Sequence, residues 1–377
     1  MAVVFFSSVI ICGFELCLRK KVTTPFLRKS NESIALIYLL FVLVILMGGS
    51  SKNPDTIVYE RIYAMNFFSK DIGFGAIVWL CKKLGITLQI FRLLIAITGL
   101  LLINNVVRLY LSTRYQIVFY FMYIISPLFL DITQVRNFLG MSLLVSAFPC
   151  LAKKGTKYRF KYLLLTVLAA SIQKTFVVYI PFVLIHKVDR EKAIRILLVL
   201  MSILTVALFS NKTMVRYVVQ ILMSLLGNSD MRVEYYLTQE NHLGGYVYWI
   251  SAFANIFALK YCLKEQRSLA VNGADEIHRL SKLVYWLNIY CVCFLPLLLI
   301  TIDFFRIHRN LQLLNYLVIL MTASMGRLYP QNCKKAKHSL GIVTFGILLW
   351  SSYWLFLRDG GINTIIRPIM AYNWIIG

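Results

Sequence analysis

Residues 88–154 decide the fold. They read LQIFRLLIAITGLLLINNVV (Leu88–Val107), RLYLSTR (Arg108–Arg114), YQIVFYFMYIISPLFL (Tyr115–Leu130), DITQVRN (Asp131–Asn137), FLGMSLLVSAFPCL (Phe138–Leu151), then Lys153 and Lys154. The three apolar runs approach the ~20 residues an α-helix needs to cross a ~30 Å hydrocarbon layer. Arg108 and Arg114 close the first run, and Lys153, Lys154, Lys157, Arg159 and Lys161 follow the third. Short loops rich in Lys and Arg face the cytoplasm, so the turn that holds Arg136 faces outward.

The same bookkeeping extends in both directions. Val3–Leu18 lacks a basic leader and carries Glu15, so it reads as a span rather than a cleaved signal. Arg19, Lys20, Lys21, Arg28 and Lys29 put the loop after it in the cytoplasm, and Ile34–Gly48 returns outward to an outer loop, 49–71. Ile72–Leu84 is expected to be a short helix dipping into the outer face, because a full span there would turn the Lys153–Lys161 cluster outward. Tyr162–Ile172 and Phe176–Ile185 flank Gln173-Lys174-Thr175 and have basic clusters on both sides, the second being Lys187, Arg190 and Lys192. An even number of crossings follows, as a re-entrant pair over 162–185 or as two short spans. A single 24-residue span is the rival, and it would put Lys174 mid-bilayer.

Further on, Ile194–Phe209 leads to a second outer loop, 210–245, with an amphipathic stretch at Met214–Leu226. Tyr246–Leu263 returns, Lys264–Lys282 is a cytoplasmic loop, Leu283–Ile302 goes out to a short turn at Asp303–Arg309, Leu311–Met325 returns to Arg327, Lys334, Lys335 and Lys337, and Ser339–Leu357 ends outside. Tyr115, Tyr162, Tyr261, Tyr285 and Trp286 at segment ends suit interfacial belts. The expectation is an all-α polytopic membrane protein, one domain over 1–377, with about ten transmembrane helices plus short re-entrant or half helices and both termini outside.

Composition agrees. Of 377 residues 59% are hydrophobic, against roughly 45–50% in soluble domains. The net charge of +24 sits in loops between apolar runs, which argues for anionic lipid headgroups and against nucleic acid. None of the eight cysteines falls in an outer loop, so no disulfide framework is expected. There is no phosphate loop, no dinucleotide fingerprint, no H-E-x-x-H and no paired C-x-x-C, and the five histidines are dispersed. No metal and no cofactor is expected.

What needs a reason is a set of cations on the outer side: Lys52, Arg61, Lys70, Arg136, Lys174, Lys212, Arg216, Arg232, Arg306, Arg309, Arg358 and Arg367. Arg136 and the pair Arg306 and Arg309 occupy turns of only a few residues between spans. A guanidinium there can grip two oxygens of a diphosphate. The competing reading makes each an ion pair that fixes its turn, Asp131 with Arg136 and Asp303 with Arg306.

These residues resemble the EpsG-like branch of the Wzy-type bacterial exopolysaccharide and capsule polymerases. Asn53-Pro-Asp-Thr-Ile-Val-Tyr-Glu-Arg-Ile-Tyr63 is similar to the family's G-x-D-x-x-x-Y-x-x-x-Y, Asp71-Ile-Gly-Phe74 to [DE]-P-G-[FY], Gln134-Val-Arg-Asn137 to G-[IL]-R-Q, Ile172-Gln-Lys-Thr-Phe176 to F-H-x-S-A, and Arg309 to the Arg of R-[FI]-x-x-Y-F. The motifs cover nearly the whole chain in order and spacing. Gln173 stands where the family has His, Pro54 where it has Gly, and an Arg expected before the first-loop motif is missing.

The resemblance implies a metal-independent membrane glycosyltransferase of GT-C-like architecture in the bacterial plasma (inner) membrane, building exopolysaccharide, capsule or O-antigen. Its donor is an undecaprenyl-diphosphate-linked glycan, its acceptor a sugar hydroxyl of another lipid-linked repeat, and its partners are membrane lipids and the flippase and chain-length regulator of the same pathway. Arg136, Asp131 and Asp55 are the expected catalytic residues, with Asp303 a further carboxylate candidate for the acceptor proton. Arg309, Arg306, Lys174, Gln173, Tyr59 and Tyr63 are the expected substrate-binding ones. Rival readings are a flippase or transporter for the same lipid-linked oligosaccharide, and another outer-face transferase such as a ligase or acyltransferase.

Overall fold

The computed structural model describes residues 1–18, 33–64, 71–186, 190–210, 217, 244–268, 275–299, 302–325, 341, 344–350, 352–353 and 361–376. The basic residues of 19–32, Lys70, Lys187, Lys212, Arg216, Arg232, the amphipathic stretch 214–226 apart from Tyr217, Arg327 to Lys337 and Arg358 lie outside them. Among the described residues the chain is helical with no strand, apart from one antiparallel bridge between Ser50 and Asn373.

The first half holds α1 (Ala2–Leu18), α2 (Ile34–Gly49), α3 (Thr56–Ala64), α4 (Ile72–Lys83), α5 (Leu88–Tyr110), α6 (Thr113–Ile125), α7 (Leu128–Thr133), α8 (Val135–Ala152), α9 (Thr156–Ile172) and a 3₁₀ helix, Lys174–His186. The second half holds α10 (Arg190–Ser210), α11 (Gly244–Ser268), α12 (Asp275–Val292), 3₁₀ turns at Leu295–Leu299 and Ile302–Phe304, α13 (Phe305–Arg309), α14 (Gln312–Met325), a π turn at Ile362–Ile366 and α15 (Arg367–Ala371).

α8 is the axis of the bundle. Nearly every one of its side chains is buried, and α5, α9 and α12 surround it. Close approach comes from glycines. A Cβ on Gly99 of α5 would lie 2.3 Å from the Phe138 ring, and one on Gly140 of α8 would lie 2.4 Å from the Phe176 ring. Paired amides lock other crossings: Asn137 with Asn310 (2.8 and 3.3 Å) and Asn288 with Asn315 (2.8 and 3.2 Å). Such reciprocal pairs satisfy polar groups where no water is at hand.

The outside of the bundle is apolar. Phe6, Ile10 and Phe14 on α1, Leu164, Val167 and Leu168 on α9, and Ile196, Leu200 and Ile203 on α10 are exposed at helical spacing. Faces of this size on several helices suit lipid rather than water. Leu88–Tyr110 and Val135–Ala152 are long and apolar enough to cross a membrane, and Ala2–Cys17, Ile34–Gly49 and Lys174–Ile185 are shorter apolar helices.

Several boundaries differ from the sequence reading. Tyr115–Leu130 is not one helix: α6 ends at Ile125, and Pro127, which cannot donate a helix hydrogen bond, separates it from α7. Leu283–Ile302 is likewise divided, since α12 starts earlier at Asp275 and stops at Val292. Lys264–Lys282 is largely helical, with only 269–274 between α11 and α12 undescribed. Tyr162 is fully buried and donates to the Tyr179 carbonyl at 2.8 Å, so it is a core residue and not interfacial. The same bond shows that the chain reverses at Gln173. At ~1.5 Å per residue in an α-helix and ~2.0 Å in a 3₁₀ helix, α9 and its partner have nearly equal lengths.

The Gly140–Phe176 contact makes a direct test of the packing. Gly140→Ala should destabilise the bundle by about 1–3 kcal/mol, and adding Phe176→Leu should recover part of that. Heat midpoints of the purified variants in detergent check both; a midpoint unchanged by Gly140→Ala would contradict the close approach.

Candidate functional site

The start of α8 gathers the polar groups. Gln134 is its N-cap, and Arg136 and Asn137 follow in the first turn, so the three side chains leave the helix in different directions, ~100° apart per residue. Gln134 Oε1 accepts from Arg309 Nη2 at 2.7 Å. Asn137 pairs with Asn310 of the turn after α13. Arg136 turns the other way: its Nη1 donates to Asp71 Oδ2 at 2.7 Å, and its backbone N–H donates to the Tyr59 hydroxyl at 3.3 Å. The Arg136 guanidinium carbon also lies 5.9 Å from the Tyr59 ring centre and 5.6 Å from that of Phe74.

Two further arginines complete the cluster. Arg309 is buried and faces Asp131 Oδ1 at 3.6 Å, while Asp131 Oδ2 accepts from the Tyr123 hydroxyl at 3.2 Å. Arg306 Nη2 meets Asp303 Oδ1 at 2.8 Å, as the sequence suggested. Asp131 does not pair with Arg136. It sits on α7 facing the core, whereas Arg136 projects from α8 toward α3 and α4, and Asp71 takes the place assigned to Asp131.

Asp55 lies within electrostatic reach of all three arginines. An Asx turn, Asp55 N–H to Asn53 Oδ1 at 3.1 Å, sets it just before α3. Burial raises its carboxyl above the ordinary range, Arg306, Arg136 and Arg309 pull it back down, and Asp303 adds to the rise. Asp131, on the short helix between α6 and α8, is pushed by burial up to about 6, with Arg309 and the Tyr123 hydrogen bond opposing. Asp131 has no exposed surface. Its carboxylate faces Arg309 and Tyr123.

The remaining predicted residues divide. Tyr59 belongs to the cluster through Arg136. Lys174 reaches it by its backbone, whose N–H donates to Asp71 Oδ1 at 3.4 Å, and Gln173 is the buried C-cap of α9 just before it. Tyr63 is not brought to the arginines. Its hydroxyl donates to the Ile86 carbonyl and its ring packs at a tilt against Phe91, so it fastens α3 to the start of α5. Lys52 sits 4.1 Å over the ring of Tyr372, beside the bridge that ties the C-terminal segment to the end of α2.

Sequence reasoning placed Asp71 in a family motif without its partner Arg136, and it missed Tyr123, Asn310 and Arg92, which is buried within electrostatic reach of Tyr59 and Glu60. An aspartate opening a helical run reads as a cap, and an arginine inside a long apolar run reads as part of a span. Nothing in the local pattern marks either as a partner of a distant turn.

The EpsG family profile matches residues 34–365, which contain every residue of this cluster. The chain belongs to the EpsG family. Membership makes it an exopolysaccharide-type polymerase with glycosyltransferase-like chemistry in a helical, membrane-associated chain. No curated protein and no solved structure matches it.

In this EpsG family member the Asp131–Arg309 pair should be needed for folding. Asp131→Ala leaves a buried guanidinium with an uncompensated charge, which costs about 3–5 kcal/mol. The yield of folded protein and its heat midpoint should fall. Asp131→Leu combined with Arg309→Met should recover most of the midpoint, and a double variant no better than Asp131→Ala would refute the pairing.

Proposed function

We propose that this end of the bundle polymerises undecaprenyl-diphosphate-linked oligosaccharide repeats into exopolysaccharide, capsule or O-antigen at the outer face of the bacterial plasma membrane. One observation carries the reading: in a chain of the EpsG family, the half-buried carboxylate Asp55 lies within electrostatic reach of Arg306, Arg136 and Arg309, each of which is held by another aspartate. The hydroxyl oxygen of the acceptor sugar attacks the anomeric carbon of the donor. The bond from that carbon to the diphosphate oxygen breaks, the lipid diphosphate leaves with the electron pair, and the hydroxyl proton passes to Asp55.

Each part of that step has a group suited to it. Charge develops on the leaving diphosphate, and fixed cations at that place lower the barrier. Arg136 and Arg306 are each tied to a carboxylate through one Nη, which sets the direction of the planar guanidinium whose other Nη suits a phosphate oxygen. Proton transfer to a carboxylate is favoured when its pKa is raised toward the working pH, as burial does for Asp55. The α8 start adds the positive end of its helix dipole beside Arg136.

Orientation follows the basic loops, with about ten spans, GT-C-like architecture and both termini outside. Single cysteines at Asn228 and Asn363 should then be labelled from outside intact cells and one at Gly155 should not; the reverse pattern would put the cluster on the wrong side.

Arg136→Lys keeps the charge and loses the planar fork. It should accumulate normally in the membrane yet form polymer about a hundredfold more slowly, with lipid-linked single repeats building up. Asp55→Asn should slow polymerisation by about 10²–10⁴-fold. In the wild type the rate should fall as pH drops through the raised Asp55 pKa, because a protonated base cannot accept, and this acid limb should vanish in Asp55→Asn. Full-length polymer from either variant at normal protein level would send the chemistry elsewhere.

A further inference from the structure

Asp71 occupies the N-cap of α4, with extended backbone at φ −92° and ψ 100°. Aspartate is favoured there because its carboxylate can accept a free N–H of its own helix. Here it makes no such bond. Its two oxygens go instead to two distant parts of the chain: Oδ2 to the Arg136 guanidinium at 2.7 Å and Oδ1 to the backbone N–H of Lys174 at 3.4 Å. The residue is only 7% exposed. We propose that Asp71 is a positioning residue for the polymerase reaction, aiming the Arg136 guanidinium at the leaving diphosphate and holding the Gln173-Lys174 reversal beside it. This rests on the function proposed above.

The surroundings explain why a carboxylate is required and why its position is fixed. Arginine has four side-chain torsions, and the Tyr59 and Phe74 rings flank its guanidinium without fixing its rotation. The bond to Nη1 fixes that rotation, and among the described residues Arg136 Nε has no hydrogen-bond partner. α4 cannot slide to relax the contact, because a Cβ on Gly73 would come within 2.2 Å of Ser171 Oγ in the last turn of α9. The start of α4, the end of α9 and the start of α8 are thereby held at one carboxylate. Each arginine of the cluster has its own: Asp303 for Arg306, Asp131 for Arg309, Asp71 for Arg136.

Asparagine is the informative replacement. It keeps the size and the N-cap preference, so α4 should still form. It has one acceptor oxygen where two are used, and its amide N–H₂ meets a donor, so either Arg136 or Lys174 is released.

The test uses the full-length protein in proteoliposomes, with undecaprenyl-diphosphate-linked repeat unit as substrate, and compares Asp71→Asn, Asp71→Glu, Arg136→Lys and the double variant Asp71→Asn/Arg136→Lys. Asp71→Asn should lower kcat about 10- to 100-fold with KM and heat midpoint little changed. Asp71→Glu should recover part of the loss. The double variant should be no slower than Arg136→Lys alone, since Asp71 acts through Arg136. A wild-type kcat for Asp71→Asn, a further full loss in the double variant, or a loss that only follows a lowered midpoint would each overturn the positioning role. If Arg136→Lys itself polymerises at the wild-type rate, the polymerase site fails and the proposal with it. If Arg136→Lys is slow and Asp71→Asn is normal, only the role of Asp71 is lost.

Discussion

A guanidinium held among packed helices needs an acceptor for its charge within a few ångströms, and that requirement shapes this protein. Arg309 is buried and is met by Asp131 and Gln134; Arg136 is met by Asp71. Each pair joins segments far apart in sequence, so the charges that make the cluster also fix which helix ends meet. α7, the start of α8 and α13 are gathered by the first pair, and α4 is brought to α8 by the second. Removing one member of the fully buried Arg309–Asp131 pair costs more than the pair contributes, whereas Arg136 keeps part of its side chain exposed.

The rest of the bundle positions this cluster by shape. Gly99 and Gly140 let α5 and the 3₁₀ helix approach α8 so closely that the Phe138 and Phe176 rings fill the places a Cβ would take. Tyr179 donates to the Ile307 carbonyl at 2.6 Å, which fastens the helix after Gln173 to α13 and hence to Arg306 and Arg309. The aromatic contacts Tyr59–Phe74 and Phe74–Phe91 do the same for α3, α4 and α5. Five turns that a linear reading separates are therefore held at one end by apolar packing, and the ion pairs then choose their partners.

The helices and the cationic turns were legible in the sequence because both are local signals. A run such as Leu88–Val107 declares itself by length and apolarity, and Arg136, Arg306 and Arg309 stand out because so little polar chain surrounds them. Partners were legible only when close by, as with Asp303 and Arg306, which are three residues apart. Asp71 and Arg136 are 65 residues apart, and no periodicity links them. Asp131 looked like the partner of Arg136 by proximity in sequence, but the α7–α8 corner points the two side chains to different sides. Helix breaks were missed for a related reason: Tyr115–Leu130 is apolar throughout, and Pro127 ends α6 without changing that.

The departure at Gln173 also follows from this geometry. The family's histidine position falls at the C-cap of α9, where the Gln173 N–H donates to the Ala169 carbonyl and its own carbonyl accepts from Phe176. The residue there is buried and its backbone makes the reversal, while the next residue, Lys174, is the one that touches Asp71. Under the proposed chemistry the proton goes to Asp55, and the turn contributes by holding Asp71 against Arg136. A side chain at 173 then needs to fit the reversal rather than to titrate, and glutamine, which offers both a donor and an acceptor without changing charge, meets that need.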